Sequence, residues 1–245
     1  MKPVIYAMIP ARIGSTRLKM KNLALINGKP MIYYAIRAAK ESGVYDKIIL
    51  NSDSEIFSKI AERYFVDFYL RPEELGSSQT KSDAVVADFM YAHPEADFVA
   101  WVNPTSPFQT AEEISRTISY FIDNQLDSLI TVEDRQVHCI YNGKPVNFKP
   151  DEPFAQTQNL TSVQPFIYSV MMWRSKQFLK EFDEKEFALF CGKFGTFPVE
   201  KMTAIIIKTQ EDLLIANELM KVMEDSDGDC IEYDILAGNV FQDSC

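Results

Sequence analysis

Apolar runs and stretches of helical spacing alternate from the N-terminal end of the chain. Val4–Ile9 is a short apolar run stopped by Pro10, the pattern of a strand buried on both faces. Pro30 opens a helical segment through Lys40, and Gly43 is placed to end it. Lys47–Leu50 predicts a second strand and Ser54–Tyr64 a helix carrying Ile56, Phe57 and Ile60 at helical spacing. Asp67–Leu70 predicts a third strand, Ser82–Ala92 a helix ended by His93-Pro94, and Asp97–Val102 a fourth strand. The breaker-rich Asn103-Pro104-Thr105-Ser106-Pro107 follows, and then Thr110 with Glu113 three residues on forms a capping box. Asp127–Val132 predicts a fifth strand.

The alternation breaks at Glu133. From there to Pro165 the chain is polar and holds Asn142-Gly143, a hairpin turn signal, between Val137–Tyr141 and Pro145–Phe148. It resumes with the strand Phe166–Trp173, the helix Ser175–Phe182, the strand Thr203–Lys208 and the helix Gln210–Met223. This order predicts an α/β fold, a mainly parallel sheet with helices on both faces and right-handed crossovers. Residues 1–224 are expected to form one domain with an inserted hairpin lobe at about 135–165, and 225–245 an acidic C-terminal tail. In such sheets ligands bind at the carboxyl ends of the strands, which directs attention to the residues after the first, second and fourth.

Composition narrows the function. The 245 residues carry 25 Lys and Arg against 35 Asp and Glu, a net charge of −10, which argues against general nucleic-acid binding. With 47% hydrophobic and 12% aromatic residues the chain is globular rather than disordered. Cys139, Cys191, Cys230 and Cys245 stand far apart, and with only His93 and His138 they build neither a zinc site nor a disulfide framework. No signal-peptide pattern and no apolar run of membrane-spanning length is present, so a cytoplasmic, membrane-free protein is expected.

Against that acidic background one segment stands out. Between Arg12 and Lys21 lie four cations, Arg12, Arg17, Lys19 and Lys21, where the chain averages about one per ten residues. The segment follows the first strand and includes Gly14 and Ser15, so backbone N–H groups and side-chain charge could wrap a polyphosphate there. A solvated basic loop is the competing reading. Neither a G-x-G-x-x-G nor a G-x-x-x-x-G-K-[ST] motif is present, which removes the main sequence support for hydride transfer and P-loop hydrolysis.

Pro10–Asn22 resembles the signature loop of the sugar-activating cytidylyltransferases, the family of CMP-sialic acid and CMP-Kdo synthetases. The resemblance continues through Asn51-Ser52-Asp53, Leu70-Arg71-Pro72-Glu73-Glu74-Leu75 and Asn103-Pro104-Thr105-Ser106-Pro107-Phe108. Gln158-Asn159-Leu160 and Phe166–Trp173 match more weakly, and Thr209-Gln210-Glu211-Asp212-Leu213 resembles the closing motif. It implies a Rossmann-like nucleotidyltransferase fold, a homodimer joined through the inserted lobe, and transfer of CMP from CTP to the anomeric hydroxyl of an acidic 2-keto sugar with release of pyrophosphate. It places Ala11, Arg12, Gly14, Ser15, Lys21 and Asn22 on the nucleotide, Arg71 and Asn103 near the cytidine or acceptor, and Gln158 and Tyr168 on the acceptor. Asp53 could touch ribose or metal, or cap a helix. Arg12, Lys21 and Lys208 are the expected catalytic residues.

The family's closing motif reads Asp-x-Asp-Thr, and its two carboxylates hold Mg2+. Here those positions are Ile206 and Lys208, neither of which can ligate a hard cation. Mg2+ is therefore expected to arrive with CTP, its protein ligands left open. Lys208 admits three readings: an ammonium that replaces part of the metal's charge, a solvated strand-end lysine, or the mark of a motif that binds without catalysing. A nucleotidyltransferase acting on a phosphate or phosphonate acceptor and a non-catalytic nucleotide-binding relative are the alternative functions. Among lesser candidates, His93 is expected at an exposed helix end, His138 could meet an acceptor across a dimer interface, and Lys193 and Lys201 could meet pyrophosphate or a carboxylate. Asp225–Asp229 resembles a calcium loop, but Cys230 stands where that loop needs glycine.

Overall fold

The computed structural model describes residues 2–225, so the proposed tail and the Asp225–Asp229 turn lie outside the described residues or at their edge. In chain order the elements are β1 (Ile5–Ala11), β2 (Leu25–Ile26), β3 (Lys29–Pro30), α1 (Met31–Ser42), β4 (Lys47–Ser52), α2 (Ile56–Tyr64), β5 (Asp67–Leu70), α3 (Ser82–Ala92) and β6 (Phe98–Val102). There follow α4 (Ala111–Asp123), β7 (Ser128–Val132), β8 (Ile140–Tyr141), β9 (Lys144–Pro145), β10 (Phe166–Arg174), α5 (Ser175–Lys185), β11 (Phe194–Pro198) and α6 (Gln210–Asp225).

Seven strands form one sheet in the order β11-β7-β10-β6-β1-β4-β5. All run one way except β10, which is antiparallel to both β6 and β7. The two faces are read directly from β1. Ile5, Ala7, Ile9 and Ala11 pack under α1, α2 and α4 with Ile36, Phe57, Ile118 and Phe121. Tyr6 and Met8 point the other way, to Val86, Phe89, Trp173 and Phe178 beneath α3 and α5. A strand buried on both faces needs an unbroken apolar run, which is what residues 4–9 show.

Local chemistry sets the helix ends. Thr110 Oγ1 accepts from the Glu113 N–H at 3.1 Å and caps α4. Gly43 closes α1 at φ +64°, a left-handed position that favours glycine. Asn142 and Gly143, at φ 48° and 75°, turn the two-residue hairpin β8–β9. That hairpin belongs to the stretch between β7 and β10, which leaves the sheet and is tied at its base by the Arg135–Val163 bridge.

Three expectations are corrected. The first strand does not stop at Pro10: β1 continues to Ala11 along β4, and Pro10 sits past the end of the β6 ladder, a place proline tolerates. Thr203–Lys208 is not a strand but turns and extended coil. The sheet edge beside β7 is taken by β11, whose Phe-Gly-Thr-Phe-Pro sequence hides its period. Ile207 is buried in a satellite core with Ile26, Met31, Tyr34, Phe108, Ala216 and Met220. Third, His93 is no exposed helix end; its ring packs on Phe89 at 4.5 Å, Tyr69 at 5.5 Å and Tyr6 at 5.8 Å, and burial pulls its pKa down. No helix among the described residues is long and apolar enough to cross a membrane.

Candidate active-site cleft

The cleft opens at the carboxyl ends of β1, β5 and β6 and has a volume of about 300 Å³. Its walls are the loop after β1 (Arg12, Ser15, Thr16, Arg17, Leu18, Lys21, Asn22), Arg71 after β5, the Ser77–Ser82 stretch before α3, Trp101 to Thr105, and Lys208 ahead of α6. Among the described residues five cationic side chains, Arg12, Arg17, Lys21, Arg71 and Lys208, line it, and no carboxylate does. In a protein of net charge −10 this is a local inversion of sign.

Each charged group is held differently. Arg12 reaches across the opening to donate to the Ser77 carbonyl at 3.3 Å. Lys21 Nζ donates to the Ile207 carbonyl at 3.2 Å. Burial first, and then the fields of Arg17, Arg12 and Lys208, pull the Lys21 pKa down from 10.5 to about 8, with Asp212 opposing. The backbone N–H groups of Lys208 and Thr209 both donate to Asp212 Oδ2 at 2.8 Å, which caps α6 and leaves the Lys208 side chain facing the cleft. Asp212 is raised by desolvation, but these bonds more than offset it and its pKa falls.

Arg71 is the floor of the cleft rather than a free hand. Its guanidinium donates to the Asn51 carbonyl at 2.9 Å and Oδ1 at 3.0 Å, the Ala11 carbonyl at 3.2 Å and Asp53 Oδ1 at 3.4 Å. Burial pulls its pKa down while Asp53 opposes. Three buried polar atoms on cleft-lining residues have no partner among the described residues: Asn22 Oδ1, Arg71 Nε and Trp101 Nε1. Unpartnered buried groups are rare in folded proteins, and one acceptor with two donors gathered along one cleft fits a polar ligand.

The structure thus brings Ala11, Arg12, Ser15, Lys21, Asn22, Arg71, Asn103 and Lys208 to one cleft. The others lie elsewhere. Gly14 is exposed on the outer side of its loop and does not line the cleft. Asp53 is paired with Arg71, its side chain 8% exposed, and it supports the floor without lining the cleft. Asn103 turns its Oδ1 back to the Thr105 N–H and Oγ1 at 3.0 and 2.9 Å. Gln158 is exposed in the lobe, bonded to Gln156 at 2.6 Å, and Tyr168 stands 44% exposed at φ +61°; neither lines the cleft. His138 stacks on Phe154 at 4.0 Å in the lobe, and Lys193 is tied to the Asn124 carbonyl. Sequence reasoning missed the Ser77–Ser82 wall and Trp101. The polar run Ser77-Ser78-Gln79-Thr80 ahead of a helix was the available signal for the wall; Trp101 gave none.

The Mg2+ that the resemblance implies does not fit this donor set. A hard cation needs oxygen ligands and usually one or two carboxylates. Asp53 is paired with Arg71, Asp212 is bonded to two backbone amides, and Ile206 does not line the cleft. Among the described residues no group of three or more His, Cys, Asp or Glu could hold a metal.

Comparisons with known proteins agree with this architecture. The family model described as cytidylyltransferase matches residues 6–226. An N-acylneuraminate cytidylyltransferase of Escherichia coli is 36% identical over 49% of this chain and 29% of its own length. A pseudaminic acid cytidylyltransferase of Campylobacter jejuni is 27% identical over 89% of this chain and 97% of its own. The chain thus spans about a third of the length of the N-acylneuraminate cytidylyltransferases it matches and nearly all of the pseudaminic acid enzyme. The solved structure of a CMP:2-keto-3-deoxy-manno-octonic acid synthetase complexed with CTP shares the fold, with a TM-score of 0.70 over 90% of this chain and 99% of that one at 13% identity. A 4-diphosphocytidyl-2C-methyl-D-erythritol synthase of Anaerococcus prevotii follows at 0.64 over 89% and 99%, 19% identical. With the α/β nucleotidyltransferase fold in place and the family model covering nearly the whole described chain, the protein belongs to the cytidylyltransferase family.

Proposed function

We propose that this protein transfers CMP from CTP to the anomeric hydroxyl of an acidic 2-keto sugar of the nonulosonic acid or Kdo type. The observation that carries the reading is the cleft at the carboxyl ends of β1, β5 and β6, lined among the described residues by five cations and no carboxylate. In the reaction the acceptor hydroxyl oxygen forms a bond to the α-phosphorus and the bond to the bridging oxygen breaks. The electron pair departs on pyrophosphate, and the hydroxyl proton is released to solvent. Such transfer is mainly positioning and charge neutralisation, which cations fixed before the ligand arrives supply. Arg12, Lys21 and Lys208 take the triphosphate, and Asn22 and Trp101 offer the nucleoside an acceptor and a donor that have no partner among the described residues. The relatives named for N-acylneuraminate and pseudaminic acid support the acidic acceptor.

A second reading has its own observation. The residues expected on the acceptor, Gln158 and Tyr168, lie outside the cleft, which leaves room for a different acceptor such as a phosphate or phosphonate in the cleft of one chain. Under the first reading the acceptor site is completed by a second copy docked through the lobe, where Phe154 is 82% and Tyr141 72% exposed. The test is pyrophosphate release from CTP with a panel of N-acetylneuraminate, Kdo, sugar phosphates and phosphonates. Turnover confined to the acid sugars is the expected result. Turnover with a phosphate or phosphonate alone favours the second reading, and none with any acceptor refutes both.

A further inference from the structure

The closing segment has features that the proposed reaction does not by itself require. Ile207 is gripped at both backbone groups: its N–H donates to the Thr105 carbonyl at 2.9 Å, and its carbonyl accepts from Lys21 Nζ at 3.2 Å. Lys208 follows at once, its own N–H fixed on Asp212, so the backbone on both sides of its Cα is tethered and its ammonium is delivered to the cleft. Lys21 and Lys208 are thus two parts of one unit, close enough for the Lys208 charge to bear on Lys21.

We infer that Lys208 and Lys21 together supply in this cleft the positive charge that a protein-held divalent cation would provide. The pair forms an ammonium seat for a nucleotide's polyphosphate, and the protein ligates no metal there. The inference deepens the proposed function and rests on its nucleotide reading. Three observations carry it. Among the described residues the lining offers five cations and no carboxylate, a donor set that attracts phosphate oxygens and repels a free divalent ion. Two nearby carboxylates are committed, Asp53 to buried Arg71 and Asp212 to the amides that position Lys208. Burial, and after it the charges of Arg17, Arg12 and Lys208, pull the Lys21 pKa down to about 8, and a bound polyanion offsets those neighbouring charges. Any Mg2+ that enters rides on the nucleotide's own oxygens.

The experiment is calorimetry on the full chain with CTP and, separately, inorganic tripolyphosphate, each in excess EDTA and in saturating Mg2+. Parent protein, Lys208→Ala and Lys208→Asp are compared, with thermal unfolding as the folding control. The parent is expected to bind both probes in EDTA, with Mg2+ changing affinity less than about threefold. Lys208→Ala should weaken metal-free binding at least about tenfold with an unchanged melting temperature. Lys208→Asp should abolish metal-free binding and recover part of it with Mg2+, because it puts an oxygen ligand where the ammonium stood. Binding of the parent only with Mg2+, or metal-free binding by Lys208→Ala equal to the parent's, overturns the inference. Metal-free, Lys208-dependent binding of tripolyphosphate without binding of CTP leaves the seat standing and refutes the nucleotide reading.

Discussion

Replacing Arg71 by methionine tests whether the cleft has a rigid floor or a mobile cationic arm. Arg71 is 4% exposed and its guanidinium donates four hydrogen bonds, one of them to Asp53, whose side chain is itself 8% exposed. Removing one partner of a buried ion pair costs about 3–5 kcal/mol, because the other charge is left without compensation. The carbonyls of Ala11 and Asn51 also lose a donor, while the methionine stem keeps part of the packing, so about 4 kcal/mol is a fair expectation for Arg71→Met. A chain of this size has a urea m-value of about 2–3 kcal/mol/M, so the unfolding midpoint should fall by about 1.3–2 M. Asp53→Asn in the Arg71→Met background replaces the stranded carboxylate by a neutral isostere and should recover about 1.5–3 kcal/mol, a coupling read directly from the double-mutant cycle. A midpoint for Arg71→Met within about 0.3 M of the parent, or a double variant no more stable than the single, would refute the reasoning. The loss of nucleotide binding in an Arg71 variant then reports a collapsed floor, not a missing contact.

Lys21 gives a pH prediction. Its folded pKa of about 8 lies below the ordinary 10.5, so between those values the unfolded chain holds more protons and the strain it adds at neutral pH is relieved as pH rises. CTP binding, which favours the charged form, should weaken as pH passes upward through about 8, by up to about tenfold per unit, with proton uptake seen by calorimetry in buffers of different ionisation heat; Lys21→Met should flatten the profile. Asn22→Ala deletes a buried acceptor that has no partner among the described residues, so stability should hold or rise by about 1 kcal/mol while CTP affinity drops about tenfold; a matching loss of both would place Asn22 in the scaffold alone. Gly76→Ala sets a Cβ against the Asp53 carboxyl group, and should displace it from Arg71 and lower stability by about 1–3 kcal/mol in the same urea assay.

The elements that were legible in sequence are those whose burial is set by their own period. Residues 4–9 and 98–102 are apolar because both sheet faces are covered, and α4 announces itself through Thr110 and Glu113. The cation cluster of the first loop was legible for a related reason, since nothing inside a fold needs four such charges in ten residues. What was not legible is orientation. Arg71 reads from sequence as a cation at a strand end, but Asn51, Asp53 and Ala11 turn it under the site. Tyr168 falls where the pairing of β10 with β7 shifts register, takes a positive φ there and does not line the cleft.

Ile205-Ile206-Ile207 shows why such failures are systematic. Three successive β-branched residues raise strand propensity, yet propensity reports a fit to a half-buried pleated surface and not the presence of a strand partner. Here the sheet edge is already closed by β11, and the burial that Ile207 needs is met between α1 and α6. With no ladder to satisfy it, the backbone of Ile207 must find other partners, and it finds Thr105 and Lys21. The same lack of a strand partner that defeats the prediction is therefore what ties the closing segment to the first loop. It makes the placement of Lys208 depend on Lys21, so the two lysines should be coupled in any double-mutant cycle on nucleotide binding.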